Sequence, residues 1–264
     1  MEDLIFGPGL ENQSNDFYLK HNIKPWDDPC FDFLIFTDSR GVSMDDPSKS
    51  WSVQLFDYLN SKGVSVLLIT RPRDCTVFLT LINFLRLNSI RYRYLVGHVG
   101  FVDFTPKKKE LIDDILSQKN PFFGDIDFLC EKLPRYLLLN GEYANLFSVD
   151  FNQDRYKSEI VITLLKYFEY SILVGALEFP ESVRLERQRP KEFYGQLRET
   201  NKFLLELSET DENIFFVGPA ALQDGNNSSL SRDGVHFTED GHSMLYNRLK
   251  KILHDTMKFD KDLR

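Results

Sequence analysis

The sequence contains few cysteines, and their placement argues against two common kinds of site. Cys30, Cys75 and Cys130 are far apart and match no Cys-x-x-Cys spacing. A disulfide framework needs an even set of cysteines, and a zinc site needs clustered cysteine and histidine, so neither is expected. Three isolated thiols are typical of a cytoplasmic protein, and we expect no bound metal.

The sequence also lacks an excess of positive charge and any long apolar run. It has 32 Lys and Arg against 40 Asp and Glu, a formal net charge of −8 at pH 7. Nucleic acid and anionic membranes attract positive charge, so neither is an expected partner. The longest apolar runs, such as 64–69, have the length of a strand, and the acidic first residues do not resemble a signal peptide. We therefore expect no membrane insertion and a cytoplasmic location.

Glycine-rich phosphate-binding loops are absent as well. The chain contains neither the Gly-x-Gly-x-x-Gly spacing nor the Walker A spacing, so nucleotide binding has no support in the sequence. We expect no metal and no organic cofactor.

Strand and helix patterns alternate over the 264 residues, of which 42% are hydrophobic. Buried strands are predicted at 31–36, 64–70, 93–99, 171–178 and 214–217, with a short strand or amphipathic segment at 135–139. Helices are predicted at 51–60, 76–87, 110–117, 154–168, 192–207 and 238–254, and a turn at 100–106. This alternation predicts parallel βαβ units in one doubly wound α/β sheet. We expect one domain at 31–256, an N-terminal arm at 1–30 and a tail at 257–264.

Two loops that follow predicted strands carry complementary chemical groups. In doubly wound sheets the reacting groups gather where strands end and helices begin. Ser39 comes directly after the first buried strand, and Asp233 and His236 stand three residues apart before the last helix. A serine hydroxyl is a poor nucleophile unless a base takes its proton and an acid orients that base. Asp233 and His236 can supply this pair if their turn curls back.

The same two loops resemble the motifs of a known enzyme family. Residues 36–40 (FTDSR) resemble the nucleophile block of the SGNH, or GDSL-type, serine hydrolases, and residues 233–236 (DGVH) resemble their terminal Asp-x-x-His block. The resemblance spans about residues 31–255. It implies Ser39 as nucleophile, His236 as general base and Asp233 as the acid that orients the imidazole. The fold it implies is a three-layer α/β/α sandwich with a parallel, flavodoxin-like sheet, which agrees with the alternation of strands and helices.

The sequence departs from the family pattern around the oxyanion hole. The family's second block supplies a backbone N–H from glycine, whereas the corresponding loop here has no glycine and offers Arg73 and Asp74. The third block, usually Gly-x-Asn-Asp, has its nearest match from Gly100 to Asp103. Asp103 therefore stands where an amide donor is expected, and an ionised carboxylate would repel the developing oxyanion. A catalytically inactive SGNH-like binding protein is for this reason a competing hypothesis.

A group of basic residues follows the strand predicted at 171–178. Arg184, Arg187 and Arg189 would lie at the same edge of the sheet as the two motif loops. Arginine recognises carboxylates and phosphates, which favours an acidic or polysaccharide-derived substrate. The alternative is an ordinary solvated loop that leads into a helix.

Three further residues near the motifs have structural interpretations. Asp38 is expected to hold its turn by accepting backbone N–H groups. His242, in the first turn of the last helix, is expected to be a packed or capping histidine. His98 either lines the pocket or simply ends its strand.

The function predicted from these patterns is that of a serine hydrolase that cleaves a small ester through an acyl-enzyme. An O-acetyl or other short acyl group is expected, with a small-molecule or carbohydrate ester as the substrate. An O-acyltransferase acting on a carbohydrate would use the same site and differ only in the acceptor, and the inactive binding protein is the third hypothesis. No feature of the sequence selects between a monomer and an oligomer.

Overall fold

The computed structural model describes residues 18–21, 30–43, 45–71, 81, 85, 91–98, 101–105, 107–108, 130–132, 136–137, 143–144, 146–149, 154–176, 191–218, 230–231 and 233–255. The strands of these residues are β1 (Tyr18–His21), β2 (Cys30–Asp38), β3 (Val66–Arg71), β4 (Arg91–His98), β5 (Lys107–Lys108), β6 (Cys130–Lys132), β7 (Tyr136–Leu137), β8 (Tyr143–Ala144), β9 (Leu146–Val149), β10 (Tyr170–Val174) and β11 (Ile214–Val217). The helices are α1 (Trp51–Ser61), α2 (Phe101–Phe104), α3 (Asp154–Tyr167), α4 (Lys191–Thr210) and α5 (Glu239–Asp255), with 3₁₀ turns at Ser39–Gly41 and Pro47–Lys49.

Six of these strands form one sheet, in the order β1-β3-β2-β4-β10-β11. The last five run parallel to one another, and β1 pairs with β3 in the antiparallel direction. Numbered along the chain, the five parallel strands have the order 2-1-3-4-5, which is that of flavodoxin-like sheets. The predicted parallel, flavodoxin-like sheet is therefore confirmed.

Helices cover both faces of the sheet, because its central strands are apolar on both faces. In β2, Phe33 and Ile35 belong to one hydrophobic cluster, whereas Leu34 and Phe36 belong to the other. Successive side chains of a strand point to opposite faces, so an uninterrupted apolar run suits a strand buried on both sides. The predicted three-layer α/β/α arrangement is confirmed.

The helices present their apolar stripes to these two clusters. On one face of the sheet, α1 contributes Leu55 and Leu59, and α5 contributes Leu245 and Leu249. The spacing of four residues puts each pair on one side of its helix. On the other face, α3 and α4 bury Ile160, Leu164, Leu197 and Leu204.

Strand β10 ends earlier than its apolar pattern predicts, at Val174 rather than at 178. The reason is a contact with α4. The Asn201 side chain accepts a hydrogen bond from the Ala176 N–H at 3.1 Å and donates one to the Ala176 carbonyl at 2.8 Å. The Asn201 side-chain amide thus takes the place of a neighbouring strand as the hydrogen-bond partner of the Ala176 backbone, and β10 ends before this residue.

One other expectation about elements needs correction, and one that left two alternatives open is resolved. The turn predicted at 100–106 contains the one-turn helix α2. Of the two alternatives for 135–139, a short strand or an amphipathic segment, the strand is confirmed, since β7 pairs with β8. The antiparallel pairs that β9 makes with β5 and β6 were not predicted, because strands of two to four residues carry too little periodicity.

The division into an arm, one domain and a tail stays a prediction, and residues 257–264 lie outside the described residues. Within the predicted arm, β1 forms the antiparallel edge of the sheet. Of the helix predicted at 76–87 only residues 81 and 85 are described, and both are helical, while the helix predicted at 110–117 lies outside the described residues. In the part of the chain that the structure describes, no helix combines the length and the apolar character needed to cross a membrane.

Candidate active site

The proposed nucleophile lies on a tight 3₁₀ turn at the carboxyl end of β2, in the middle of the sheet. Asp38 begins this turn, and its Oδ1 accepts the Arg40 backbone N–H at 2.8 Å. A Cβ on Gly41 would overlap the Thr37 side chain, so only glycine fits at the end of the turn. Ser39 is left partly exposed between two buried neighbours.

The loop that carries the proposed base curls back on itself before α5. Asp233 Oδ1 accepts the backbone N–H groups of Val235 and His236, at 2.9 and 2.8 Å. Gly234 has φ +74°, a left-handed conformation that glycine adopts without strain. Ser231 Oγ accepts the Gly234 N–H at 2.9 Å and donates to the His236 carbonyl at 2.8 Å. These bonds produce the curled turn that the sequence motif requires.

The two loops bring Ser39, His236 and Asp233 into one hydrogen-bonded row. His236 Nδ1 lies 2.8 Å from Asp233 Oδ2, and His236 Nε2 lies 3.2 Å from Ser39 Oγ. Burial on its own raises the pKa of Asp233, but the hydrogen bonds from His236 and Val235 outweigh burial and hold that pKa below its usual value. An ionised Asp233 accepts a hydrogen bond from Nδ1–H, which leaves the Nε2 lone pair facing the serine hydroxyl.

The other residues of the predicted site lie largely outside the described part of the chain. Arg73, Asp74 and Gly100 are not described, and neither are Arg184, Arg187 and Arg189. Asp103 is a residue of α2, directly after β4, but its side chain is not described. The composition of the oxyanion hole and the role of the basic residues therefore stay predictions.

A buried ion pair beside the nucleophile was missed by the sequence analysis. The Arg40 guanidinium contacts both carboxylate oxygens of Asp38, at distances of 2.8 to 3.1 Å, and the two side chains are 2% and 1% exposed. The guanidinium also stacks on the Phe101 ring, 4.8 Å from its centroid. Burial raises the pKa of Asp38, but the Arg40 charge and hydrogen bonds lower it to below its usual value. Asp38 thus holds the turn as predicted, and Arg40 neutralises its charge.

Removal of the Arg40 charge is expected to destabilise the protein strongly. Arg40→Met retains most of the apolar stem but leaves the Asp38 carboxylate buried without its cation, which costs about 3–5 kcal/mol of the free energy of unfolding. Urea denaturation measures this loss. The matched control is Glu169→Ala, which breaks the exposed Arg93–Glu169 pair (2.9 Å) and is expected to cost less than about 1 kcal/mol. Equal losses in the two variants would contradict the interpretation.

Two histidines pack beneath this site with the rings of Trp51 and Phe237. His98 ends β4, is fully buried, and has its ring centroid 6.0 Å from those of Trp51 and Phe237. It is therefore a strand-end residue of the interior. His242 is also fully buried, and its Nδ1 accepts the Trp51 backbone N–H at 3.3 Å. The prediction of a packed His242 is confirmed.

Burial keeps both of these imidazoles neutral. Burial lowers the pKa of His98 well below its usual value, and the nearby Arg40 charge lowers it further. Burial lowers the pKa of His242 to about 4, with a further decrease from His236. The Val42 backbone favours the charged form of His242, but not enough to compensate.

Acid is therefore expected to destabilise the folded protein through His242. Its pKa is about 4 when folded and 6.5 in the unfolded reference, so the unfolded chain binds the proton first as the pH falls. The contribution of neutral His242 to the free energy of unfolding is fully present above pH 6.5, and about 3 kcal/mol of it is lost between pH 6.5 and 4. His98 and His236 are the titratable neighbours of His242, with Asp38 and Arg40 beyond His98.

Urea denaturation at several pH values in this range tests the expectation. The free energy of unfolding of His242→Asn is expected to depend less on pH than that of the wild type. His254→Asn, at the exposed end of α5, is the control and is expected to retain the pH dependence of the wild type. The carboxylates Asp38 and Asp233 lose their contribution only below about pH 3.8, so they do not affect this window. An unchanged pH dependence in the His242 variant would contradict the assignment.

Among the described residues, no group of three or more histidine, cysteine, aspartate or glutamate side chains is placed to hold a metal ion. The expectation of a metal-free mechanism stays a prediction.

Comparison with known proteins finds matches among solved structures alone. No protein-family model matches the chain, and no curated protein matches it. A family 3 carbohydrate esterase from Clostridium thermocellum is 13% identical, with 87% of this chain and 98% of that chain covered and a TM-score of 0.47. An acetylxylan esterase from Geobacillus stearothermophilus is 13% identical, with 84% and 93% covered and a TM-score of 0.45. A structure from Parabacteroides merdae named as a GDSL-like lipase is 13% identical, with 81% and 91% covered and a TM-score of 0.48.

Proposed function

We propose that this protein is a serine hydrolase of the SGNH type that cleaves a small ester through an acyl-enzyme intermediate. One observation carries the proposal, namely the row formed by Ser39 Oγ, His236 and Asp233, with separations of 3.2 and 2.8 Å. Both are hydrogen-bond distances, and 3.2 Å is within the range over which the Ser39 proton can pass to His236. A turn that merely needed polar capping would not require a serine, a histidine and a carboxylate in this order.

The first half of the reaction acylates Ser39. His236 Nε2 takes the hydroxyl proton as Ser39 Oγ attacks the ester carbonyl carbon, and the carbonyl electrons move onto the oxygen of a tetrahedral intermediate. The intermediate collapses, the bond to the alcohol oxygen breaks, and His236 returns the proton to the departing alcohol. Asp233 fixes the tautomer and stabilises the imidazolium that forms between these steps.

The second half of the reaction releases the acyl group. A water molecule gives its proton to His236 Nε2 and attacks the acyl carbon, and the bond to Ser39 Oγ then breaks as the serine recovers its proton. The products are a carboxylic acid and the free enzyme. Transfer of the same acyl group to a sugar hydroxyl instead of water would give the acyltransferase reaction.

The oxyanion is proposed to be held first by the Ser39 backbone N–H. As the first residue of the 3₁₀ turn, Ser39 has no acceptor for its N–H within that turn. The next N–H, that of Arg40, is already donated to Asp38. Further donors are proposed from Arg73 or Asp74 and from the Gly100–Asp103 segment.

The proposed substrate is a small O-acetyl or short acyl ester, with sugar esters foremost and acidic carbohydrates favoured by Arg184, Arg187 and Arg189. A cytoplasmic location is proposed from the three isolated cysteines. Acetylated sugars are the first natural substrates to assay, because they combine a small acyl group with a carbohydrate alcohol.

Covalent labelling tests the proposal without knowledge of the substrate. A fluorophosphonate probe forms a stable adduct with an activated serine, and we expect mass spectrometry to find the label on Ser39. Ser39→Ala is expected to abolish labelling, whereas Ser208→Ala, at the surface of α4, is expected to label as the wild type does. A wild type that stays unlabelled, or a label on another serine, would refute the proposed nucleophile.

A further inference from the structure

The loops that carry Ser39 and His236 lie 197 residues apart in sequence, and a side-chain contact of 3.2 Å joins them. Proton transfer requires a separation of about 2.6–3.2 Å, so a small shift of either loop would break the relay. A contact between a flexible hydroxyl and an imidazole cannot hold two loops in place. Some other connection must therefore fix their separation.

The turn that carries Ser39 is hydrogen-bonded to the first turn of α1. Trp51 Nε1 donates a hydrogen bond to the Arg40 carbonyl at 3.1 Å. The next residue, Ser52, donates from its hydroxyl to the Gly41 carbonyl at 2.7 Å. Both donors are fully buried, so water does not compete for these carbonyls. The two residues that follow the nucleophile are thus fixed to α1.

The loop that carries His236 is connected to Trp51 of α1 through a hydrogen bond to His242. The backbone N–H of Trp51 donates to His242 Nδ1 at 3.3 Å. His242 lies in the first turn of α5, and its own N–H donates to the Thr238 carbonyl at 2.9 Å, two residues after His236. The ring of Phe237, adjacent to His236, packs edge-on against the His242 ring with centroids 5.5 Å apart.

We propose that Trp51 and His242 are positioning residues that together set the separation between Ser39 Oγ and His236 Nε2. Trp51 donates two hydrogen bonds, one from its indole to the nucleophile turn and one from its backbone to the helix that continues the base loop. Trp51, at the amino end of α1, is thereby hydrogen-bonded both to the turn of Ser39 and to the helix that follows His236. The inference rests on the proposed function, and it assigns these two residues a role that neither motif contains.

We call the hydrogen bonds of Trp51 to the Arg40 carbonyl and to His242 the bridge. Loss of this bridge is expected to displace Ser39 and His236 relative to each other while both side chains remain present. A shift of about 1 Å in a catalytic group costs on the order of 100-fold in rate. The loss is expected in kcat and in the rate of fluorophosphonate labelling, with KM for p-nitrophenyl acetate nearly unchanged, because the substrate contacts are not altered.

Three variants test the bridge on the complete chain. Trp51→Phe deletes the indole donor and retains an aromatic ring. His242→Gln and His242→Asn are matched to each other, because an asparagine amide oxygen lies near the position of Nδ1 and that of glutamine lies near Nε2. We expect Trp51→Phe and His242→Gln to lose about 10- to 100-fold in kcat and labelling rate, and His242→Asn to stay within about threefold of wild type.

A stability control separates positioning from simple destabilisation. Phe33→Leu alters the core near the amino end of β2, away from the site, and is expected to lower the thermal midpoint while kcat of the folded protein is retained. Each rate is compared at a temperature where circular dichroism shows the variant to be folded. If His242→Gln fails to fold, Trp51→Phe alone decides.

The outcomes distinguish failure of this inference from failure of the proposed function. A wild type that labels at Ser39, together with full kcat and labelling rate in Trp51→Phe or equal activity in the two His242 variants, would overturn the bridge and leave the hydrolase intact. A wild type without Ser39 labelling would overturn the proposed function, and the bridge with it. Rescue by asparagine but not by glutamine is the result that supports it.

Discussion

Ester hydrolysis by the Ser39→Ala variant is expected to be about 10⁴- to 10⁶-fold slower than that by the wild type. The alanine has no oxygen to attack the carbonyl, so the acyl-enzyme cannot form. Binding and the oxyanion donors would still supply a small residual rate above that in water. Initial rates with p-nitrophenyl acetate, followed by the release of p-nitrophenol, measure the change.

The folded structure should survive this substitution. Ser39 is partly exposed, and its turn is held by bonds from Asp38, Trp51 and Ser52 that do not involve the serine hydroxyl. Ser208→Ala serves as the control for loss of a serine hydroxyl elsewhere and should hydrolyse the ester at the wild-type rate. Activity of the Ser39 variant within tenfold of wild type would mean that another group is the nucleophile.

The Asp233→Asn variant is expected to lose about 10⁴-fold in kcat, because the imidazole would then adopt the wrong tautomer. The asparagine can present its NH₂ group to Nδ1, which places the ring proton on Nε2 and removes the lone pair that accepts the Ser39 proton. Its amide oxygen can still accept the Val235 and His236 N–H groups, so the loop keeps its shape. Steady-state kinetics with p-nitrophenyl acetate and the rate of fluorophosphonate labelling measure the loss.

Asp46→Asn provides a matched control for this second substitution. Asp46 begins the 3₁₀ turn at Pro47–Lys49 and accepts the Ser48 N–H at 2.9 Å, as Asp233 accepts the N–H groups of its own loop. The control variant contains the same chemical change in a turn with no histidine, and it is expected to keep wild-type kcat. If Asp233→Asn kept more than a tenth of wild-type activity, Asp233 would be only a loop cap.

The sequence predicted the structure correctly where the interactions that determine it are local. The apolar run at 31–36 predicted a buried strand, and the strand–helix alternation predicted the parallel sheet, because backbone periodicity is visible in any short window. The Asp-Gly-Val-His turn could be interpreted in the same way, since Asp233 caps N–H groups only two and three residues further along. Local chemistry alone therefore predicts that the side chains of Asp233 and His236 meet.

The sequence was a poor guide where distant residues determine the outcome. The apolar pattern of β10 continues past Val174, but Asn201 of α4 takes over the hydrogen bonds of Ala176 and ends the strand. In the same way, no local pattern indicates that Arg40 is buried between Asp38 and Phe101. Hydrophobic patterns contain no information on a buried charge that is neutralised by its neighbour.

The sequence by itself determined which residues could form a nucleophile, a base and an orienting acid, and it placed them at the carboxyl edge of a parallel sheet. Only the tertiary structure decided that Ser39 and His236 meet at 3.2 Å, since that distance depends on loops far apart in the chain. It also revealed the contacts of Trp51 with Arg40 and His242, which no local pattern predicts. The physical reason is that chemistry is encoded in side-chain type, whereas alignment is produced by the packing of helices on the sheet.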